Sequence, residues 1–423
     1  MTSLTSSRRG FVPFYRRYTK TWIHALATAG LTAFGMLTFA HRGFAVVAVA
    51  VYVLPPLILY FRGADVSGVE SSADGTGTSD VTSNSKPNPE ATAGVDTSDE
   101  AVAAKDSDEP TETTPAKKPH WATAETPTDR TLFDAVATAE GAYAVGEDGV
   151  VLADDTTSDS EWQVLLSDGP GADGNTLRGA DTTADGGSVW FAGNSGSLGR
   201  LDSETARHTD YSAPSGITDN WADIAVSGTD DDATILLVNG SGHVLRGRYR
   251  DSDLAWVGPT KPGSGSSLCA VTFVDRSVGY CCDTNDSVFE TTDGGETFRE
   301  IGVGGVNGTL TDIAAIARGD CAVTDDDGVL HRYADGNWTP TRLGDDPLRG
   351  LARNDDRVVV CGANGVVYER ARADSTAEWE RIVTTANEFR GVTVGANRGI
   401  AVGAGGTIVE RVLPESRGNP SDR

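Results

Sequence analysis

The chain has 423 residues, which is ample for a large buried core. Its formal net charge is −26, and only six of its 35 basic residues are lysines. Sequence-independent nucleic-acid binding needs a cationic surface, so this composition argues against a nucleic-acid partner. An acidic, lysine-poor surface is typical of proteins from salt-loving organisms, where it serves solvation.

The first 62 residues predict a membrane anchor. A basic N-terminal segment, residues 1–20, precedes two apolar stretches at 22–40 and 44–61, each close to the length of a membrane-spanning helix. Because basic residues favour the cytoplasmic side, the N-terminus is expected there. Two spans return the chain to the same side. The sequence therefore predicts a transmembrane α-helical hairpin over 21–62 in the cell membrane, with the remaining chain in the cytoplasm.

An export signal is the alternative interpretation of the same segment. Residues 7–12, Ser-Arg-Arg-Gly-Phe-Val, resemble a twin-arginine signal, which would place the remaining chain on the extracellular face. The apolar region would then begin unusually late, and the second apolar stretch would need a separate explanation. The hairpin anchor is the favoured interpretation.

Residues 63–118 and 413–423 are expected to be disordered. The first segment consists almost entirely of Ser, Thr, Asp, Glu, Ala, Gly and Pro, so it buries too little apolar surface to offset the entropy of ordering. Its acidic charges repel one another and keep it extended. It is predicted to be an acidic linker that holds the following domain at some distance from the membrane.

Residues 119–412 contain seven copies of one short pattern. Each copy opens on a bulky apolar residue, and the openings recur roughly every 40 residues, as expected of propeller blades. The opening residues are Leu132, Leu177, Trp221, Leu268, Leu310, Leu348 and Phe389. Most copies continue with three more apolar or aromatic segments, separated by Gly, Asn, Asp or Ser turns that suit β-hairpins. The sequence predicts an all-β, seven-bladed β-propeller of four-stranded blades.

The seventh copy lacks its fourth strand, because the chain turns polar soon after Arg411. A spare tryptophan, Trp121, lies just before the first copy. We therefore expect the segment around Trp121 to supply the outer strand of the last blade and to close the ring. Closure of this kind removes the exposed edge that an open array of sheets would present.

The five cysteines follow no metal or redox pattern. All lie in predicted blades, and Cys282 and Cys361 align with valines of other copies, as small core residues do. The neighbours Cys281 and Cys282 should point to opposite faces of one strand. No cofactor and no metal site are predicted.

Residues 291–298, Thr-Thr-Asp-Gly-Gly-Glu-Thr-Phe, match an Asp-box pattern. In this pattern the aspartate accepts hydrogen bonds from the backbone of a turn, glycines adopt unusual angles, and the aromatic residue packs between sheets. The predicted structural residues are Thr292, Asp293, Gly295, Thr297 and Phe298. Sialidases with Asp boxes also need an arginine triad, a nucleophilic Tyr and an acidic residue. No Tyr–Glu pair can be assigned to that role, so no catalytic residue is predicted.

The openings, the Val-Gly-x-x-Gly hairpins and the Asp box together resemble the photosystem II assembly-factor-like propellers, within the wider Asp-box (BNR), YVTN and WD-like repeat group. The resemblance covers residues 119–412. With one clear Asp box and a predicted anchor, the chain is similar to a haloarchaeal-type, membrane-anchored member. The resemblance implies a seven-bladed scaffold that binds proteins during the assembly of membrane complexes.

Three arginines share the second position of the opening: Arg178, Arg349 and Arg390. They belong to copies 2, 6 and 7, which a closed ring places in one sector near the central channel. Guanidinium groups suit bidentate recognition of carboxylates, so this sector is the predicted site for an anion or an acidic peptide. The alternative is that the arginines form structural ion pairs with loop acids or with opening aspartates, which are Asp134, Asp223 and Asp312.

The sequence as a whole favours a protein that is not an enzyme. It predicts a membrane-tethered propeller that scaffolds contacts between proteins, with unidentified, membrane-associated protein partners. The alternative function is an extracytoplasmic, sialidase-like or glycan-binding propeller. The two differ in the side of the membrane on which the propeller lies.

Overall fold

The computed structural model describes residues 120–139, 141–155, 161–372, 378–395 and 398–412. These residues form seven four-stranded antiparallel sheets, arranged as the blades of a propeller. The predicted membrane spans, the linker and the C-terminal tail lie outside the described residues. In the part of the chain that is described, no helix combines the length and the apolar character needed to cross a membrane.

Each blade is a meander of four consecutive strands, except for the last. Blades 1 to 6 hold β2–β5, β6–β9, β10–β13, β14–β17, β18–β21 and β22–β25, and blade 7 holds β26–β28 with β1. The strands are β1 (His120–Ala124), β2 (Leu132–Ala137), β3 (Gly141–Gly146), β4 (Val151–Asp155), β5 (Gln163–Leu166), β6 (Leu177–Thr182), β7 (Ser188–Gly193), β8 (Leu198–Asp202), β9 (His208–Asp210), β10 (Trp221–Thr229), β11 (Asp232–Asn239), β12 (Val244–Arg250), β13 (Asp253–Thr260), β14 (Leu268–Phe273), β15 (Gly279–Asp283), β16 (Val288–Thr291), β17 (Arg299–Glu300), β18 (Leu310–Ala317), β19 (Asp320–Asp325), β20 (Val329–Ala334), β21 (Asn337–Arg342), β22 (Leu348–Arg353), β23 (Arg357–Gly362), β24 (Val366–Ala371), β25 (Glu380–Val383), β26 (Phe389–Val394), β27 (Gly399–Gly403) and β28 (Ile408–Val412). Short 3-10 helices occupy Glu147–Gly149, Asn194–Gly196, Pro214–Gly216 and Ala404–Gly406.

The second strand of each blade is buried on both faces, and the first strand begins with a buried residue. All seven predicted opening residues are at most 3% exposed. Second strands such as β3 and β7 are buried at every residue. Because a blade is covered by a neighbour on each side, the sequence of its second strand is a continuous run of apolar residues and does not alternate between apolar and polar residues. Fourth strands such as β21 expose most of their residues.

The turns between second and third strands require left-handed backbone. In blade 1, Asp148 and Gly149 have φ angles of 54° and 76°, and in blade 6, Asn364 and Gly365 have 60° and 64°. Asn, Asp and Gly tolerate these angles better than other residues do. A side chain at Gly406, in the same turn of blade 7, would collide with the carbonyl of Thr128. The predicted hairpin turns are confirmed.

The two edges of the ring hold different turns. Since each sheet is an antiparallel meander, the turns between second and third strands lie at one edge of the ring, together with the connections between blades. We call this the upper edge. The turns between first and second strands, and between third and fourth strands, lie at the lower edge.

The hydrophobic core is divided among the contacts between neighbouring blades. In the described residues it consists of seven clusters, each built from two successive blades. The cluster between blades 2 and 3, for example, packs Trp190 and Tyr249 at a ring-centre distance of 5.4 Å. The fold is therefore stabilised around the whole ring and not by one central core.

The ring closes through β1, as the sequence predicted. β1 pairs antiparallel with β28, in a register that runs from His120 opposite Val412 to Ala124 opposite Ile408. Trp121 packs on the cluster between blades 6 and 7. Its Nε1 also donates a hydrogen bond to Glu369 Oε2 of blade 6 at 3.0 Å. The closing strand is thus attached to two blades.

Candidate functional site

The second residue of every opening strand is a β-bulge. In all seven blades, the pairing between first and second strands skips this residue. A bulge residue is left out of the regular ladder, which re-aims its side chain. We call these positions the bulge ring; its members are Phe133, Arg178, Ala222, Cys269, Thr311, Arg349 and Arg390. The ring lies near the upper edge and includes all three predicted arginines.

Arg349 and Arg390 converge on one carboxylate. Arg390 Nη2 donates to Glu388 Oε2 at 3.1 Å, and Arg349 Nε lies 3.6 Å from Glu388 Oε1. The second distance is an ion pair that is too long for a hydrogen bond. The Nε atoms of both arginines are buried and have no hydrogen-bond acceptor among the described residues. Two guanidinium groups therefore share one negative charge.

Arg178 lies in blade 2 and makes different contacts. Its Nε donates to Asn194 Oδ1 at 2.8 Å, and its guanidinium group lies 5.1 Å from the centre of the Phe133 ring of blade 1. The side chain is exposed. The structure thus brings two of the three arginines together at Glu388 and holds the third against an aromatic ring and an amide.

The opening aspartates bind backbone amides and not the arginines. Asp134, Asp223 and Asp312 each accept the N–H of the following residue. Each also accepts an N–H from the next blade; the donors are Ala180, Val271 and Leu351, at 2.9, 2.9 and 2.6 Å. Of the two kinds of ion-pair partner that the sequence left open, the structure shows a loop acid, Glu388, for Arg349 and Arg390, and not the opening aspartates.

Burial raises the pKa values of these opening aspartates. The pKa of Asp134 is raised to about 8 and that of Asp312 to about 7, from an ordinary value of 3.8. The pKa of Asp223 lies well above the ordinary value, first because of burial and then because of the charges on Asp134 and Asp312. Backbone hydrogen bonds offset only part of this effect. These carboxyls therefore carry less than their formal negative charge at neutral pH.

The turn at residues 291–298 is organised by a threonine and an aspartate. Asp293 Oδ1 accepts the N–H groups of Glu296 and Thr297 at 3.0 and 2.9 Å. Thr291 Oγ1 accepts the N–H of Gly295 at 2.8 Å. The hydroxyl that structures the turn thus comes from Thr291, and the prediction of Thr292, which is exposed, is corrected. The glycine conformation and the packing of Phe298 between blades 3 and 4 follow the predicted pattern.

Replacing Asp293 with alanine is expected to destabilise the protein by about 2 kcal/mol, because hydrogen bonds to a charged group contribute about 1.5–3 kcal/mol. Urea denaturation measures this change in the free energy of unfolding. Thr292→Ala is the control and should change it by less than about 0.5 kcal/mol. Equal effects of the two substitutions would contradict the role given to Asp293.

Among the described residues, Tyr280 and Glu290 form a Tyr–Glu pair that the sequence did not reveal. Tyr280 donates its hydroxyl hydrogen to Glu290 Oε1 at 2.9 Å, and Arg299 donates to Glu290 Oε2 at 2.6 Å. The pair depends on the register of β15 and β16, which place the two residues opposite each other. Tyr280 is fully buried, and burial raises its pKa, so the phenolate of a glycosidase nucleophile is disfavoured. Its hydroxyl accepts the N–H of Gly319 and so links blades 4 and 5.

The cysteines lie where the sequence placed them. Cys282 and Cys361 are fully buried. Cys281 and Cys282 belong to clusters on opposite faces of β15. Over the described ranges, no group of three or more His, Cys, Asp or Glu side chains is arranged to hold a metal ion.

No protein-family model matches the chain, and no curated protein matches it. Solved structures do resemble it. The WD40 β-propeller domain of Doa1 has 14% sequence identity and a TM-score of 0.57, covering 70% of this chain and 98% of that domain. YCF48 from Cyanidioschyzon merolae has 14% identity and a TM-score of 0.56, covering 69% and 98%. The RRP9 WD40 repeats have 12% identity and a TM-score of 0.58, covering 70% and 99%. At these identities the likeness shows the fold alone, a β-propeller like those of WD40 domains.

Proposed function

We propose that the chain is a non-catalytic, membrane-tethered propeller that scaffolds protein–protein contacts during the assembly of membrane complexes. One observation carries the proposal: Arg349 and Arg390 share the single carboxylate of Glu388 at the upper edge. On a chain with a net charge of −26, two guanidinium groups here outnumber the one carboxylate that contacts them. A partner would bind there through its own carboxylates.

The chemistry of this sector suits an acidic peptide segment. Guanidinium groups form paired hydrogen bonds with carboxylates, and these charge-assisted bonds are stronger than neutral ones. Arginines and aromatic residues are also enriched among the residues that contribute most to protein interfaces. Arg178 and Phe133 form an arginine–aromatic pair that follows Arg349 and Arg390 along the bulge ring. The bulges re-aim these side chains away from the blade ladders, so a partner can reach them.

The membrane tether is the second part of the proposal. It is supported by the two apolar stretches, 22–40 and 44–61, and by the basic residues before them, which favour a cytoplasmic propeller. A tether confines the propeller close to membrane proteins and raises its effective concentration there. The resemblance of residues 119–412 to assembly-factor-like propellers agrees with a role in the assembly of membrane complexes.

Replacing Arg178, Arg349 and Arg390 together with glutamine is expected to reduce partner capture at least tenfold. The expectation follows from the loss of several charge-assisted hydrogen bonds, since 1.4 kcal/mol corresponds to a factor of ten. The measurement is quantitative recovery of membrane proteins that co-purify with the full chain after mild solubilisation.

The matched control removes three exposed arginines from the lower edge, Arg207, Arg250 and Arg318, and so lowers the net charge equally. Its capture should stay within about twofold of the unsubstituted chain, because exposed charges away from an interface act weakly. Unchanged capture by the upper-edge variant, or equal loss in both variants, would contradict the proposed binding sector.

A further inference from the structure

A cavity of about 500 Å³ lies between blades 5 and 6, in the lower half of the ring. Blade 5 contributes Arg332 with Thr339 and Thr341, and blade 6 contributes Arg353, Arg370 and Arg372. The cavity is thus separate from the bulge ring at the upper edge. Cavities of this size are in the range that holds small-molecule ligands.

The four arginines of this cavity outnumber the carboxylates that contact them. Asp320 accepts hydrogen bonds from Arg332 at 3.0 Å and from Arg353 at 2.7 Å. Arg372 donates to the fully exposed Asp355 at 2.9 Å. Arg370 lies 4.7 Å from the centre of the Trp379 ring and is held there by a cation–π contact. The site therefore has a positive excess on a strongly acidic protein.

Two of the arginines that line this cavity have buried guanidinium donors without an acceptor among the described residues. The side chain of Arg353 is only 2% exposed. Its Nε and Nη1 atoms, together with Nε of Arg370, have no hydrogen-bond acceptor in the described part of the chain. A buried donor without an acceptor is energetically unfavourable, and more so when it is charged. Burial lowers the pKa values of Arg353 and Arg370, and for Arg370 the charges of Arg332 and Arg353 add to this effect.

We propose that this cavity is a binding site for a small molecule that carries a phosphate group. A phosphate offers oxygens in several directions and can accept from Arg353 and Arg370 at once, whereas a single carboxylate has only two oxygens in one plane. Thr339 and Thr341 of blade 5 also line the cavity. The volume leaves room for a group attached to the phosphate. Because the key donors are buried, salt screens the interaction less than it screens surface charges.

Isothermal titration of the solubilised full chain with sodium pyrophosphate, at constant ionic strength set by potassium chloride, tests the site. We expect one saturable binding event, and a melting temperature that rises with the logarithm of the pyrophosphate concentration once this exceeds the dissociation constant. Citrate, titrated in parallel as a carboxylate probe, should bind at least tenfold more weakly. Absence of saturable pyrophosphate binding, or tighter binding of citrate, would overturn the proposal.

Two substitutions locate the binding event in this cavity. Arg370→Gln leaves the bonds to Asp320 intact and should weaken pyrophosphate binding about 10-fold to 100-fold, which corresponds to the loss of one charge-assisted hydrogen bond. Arg353→Lys keeps the charge but loses the guanidinium fork, so it should also weaken binding. Arg342→Gln, on the opposite face of the strand that holds Thr341, removes an arginine outside the cavity and should bind like the unsubstituted chain. Unchanged binding by both cavity variants would refute the assignment.

Discussion

Deleting His120–Ala124 from the full chain is expected to lower the melting temperature of the propeller by more than about 10 °C and to cause aggregation. The deleted residues are β1, which forms the outer strand of blade 7. Without it, β28 becomes an open sheet edge whose unpaired backbone groups can pair with another molecule. The ring also loses the bond from Trp121 to Glu369, which attaches the closing strand to blade 6. A loss of about 6 kcal/mol corresponds to a shift of this size, because in a domain of this length each kcal/mol lowers the melting temperature by only about 1.6 °C.

Differential scanning calorimetry and light scattering measure the two effects. The matched control deletes five residues from the predicted linker, 101–105, and should melt like the unmodified chain. Trp121→Ala is a milder variant that keeps the strand; it should cost about 2 kcal/mol, because the indole is only partly buried and truncation of a fully buried Trp costs about 3–5 kcal/mol. A monodisperse deletion variant that melts within 2 °C of the control would show that the ring does not depend on β1.

The periodic features of the sequence predicted most of the fold. Opening residues such as Leu132 and Phe389 are buried because every blade repeats the same contact with its neighbour. The left-handed turn at Asp148 and Gly149 follows from residue types that tolerate positive φ. Strand ends were harder to place. Trp162 and Tyr211 lie in the aromatic segments that end their copies but just outside β5 and β9, because outer strands have few ladder bonds to fix their ends.

The site was only partly predictable. The sequence identified Arg178, Arg349 and Arg390 because they occupy the same position in three copies of the repeat, and the copies can be aligned with one another. The bulge at each of these positions depends on pairing with the second strand, and no local residue type marks it. Glu388 lies in a connection between blades, where the repeat is irregular. The arginines of the cavity between blades 5 and 6 occupy different positions in their two copies, so only the packed structure brings them together.

Replacing Asp312 with asparagine is expected to change how stability depends on pH. In the folded protein burial raises the pKa of Asp312 to about 7, whereas the unfolded chain has the ordinary value of 3.8. Between these values the folded state holds a proton that the unfolded state has released. The stability that this carboxyl contributes is therefore fully present below pH 3.8 and is lost as the pH rises through 7. Asparagine does not titrate, so the stability of the variant does not show this decrease with rising pH.

The difference in unfolding free energy between the unsubstituted chain and Asp312→Asn should therefore fall steadily from pH 4.5 to pH 7.5, as measured by urea denaturation. Asparagine keeps one acceptor oxygen for the amides of Ile313 and Leu351, so a loss of about 1 kcal/mol from the second bond is expected at every pH.

Asp232→Asn is the control, because its effect on stability should depend on pH in the opposite direction. A hydrogen bond from Arg276 lowers the pKa of Asp232, so its contribution is constant above pH 5 and is lost only as the pH falls below 3.8. A flat difference for Asp312 over pH 4.5–7.5 would mean that this carboxyl is ionised in the folded protein, contrary to what its burial implies.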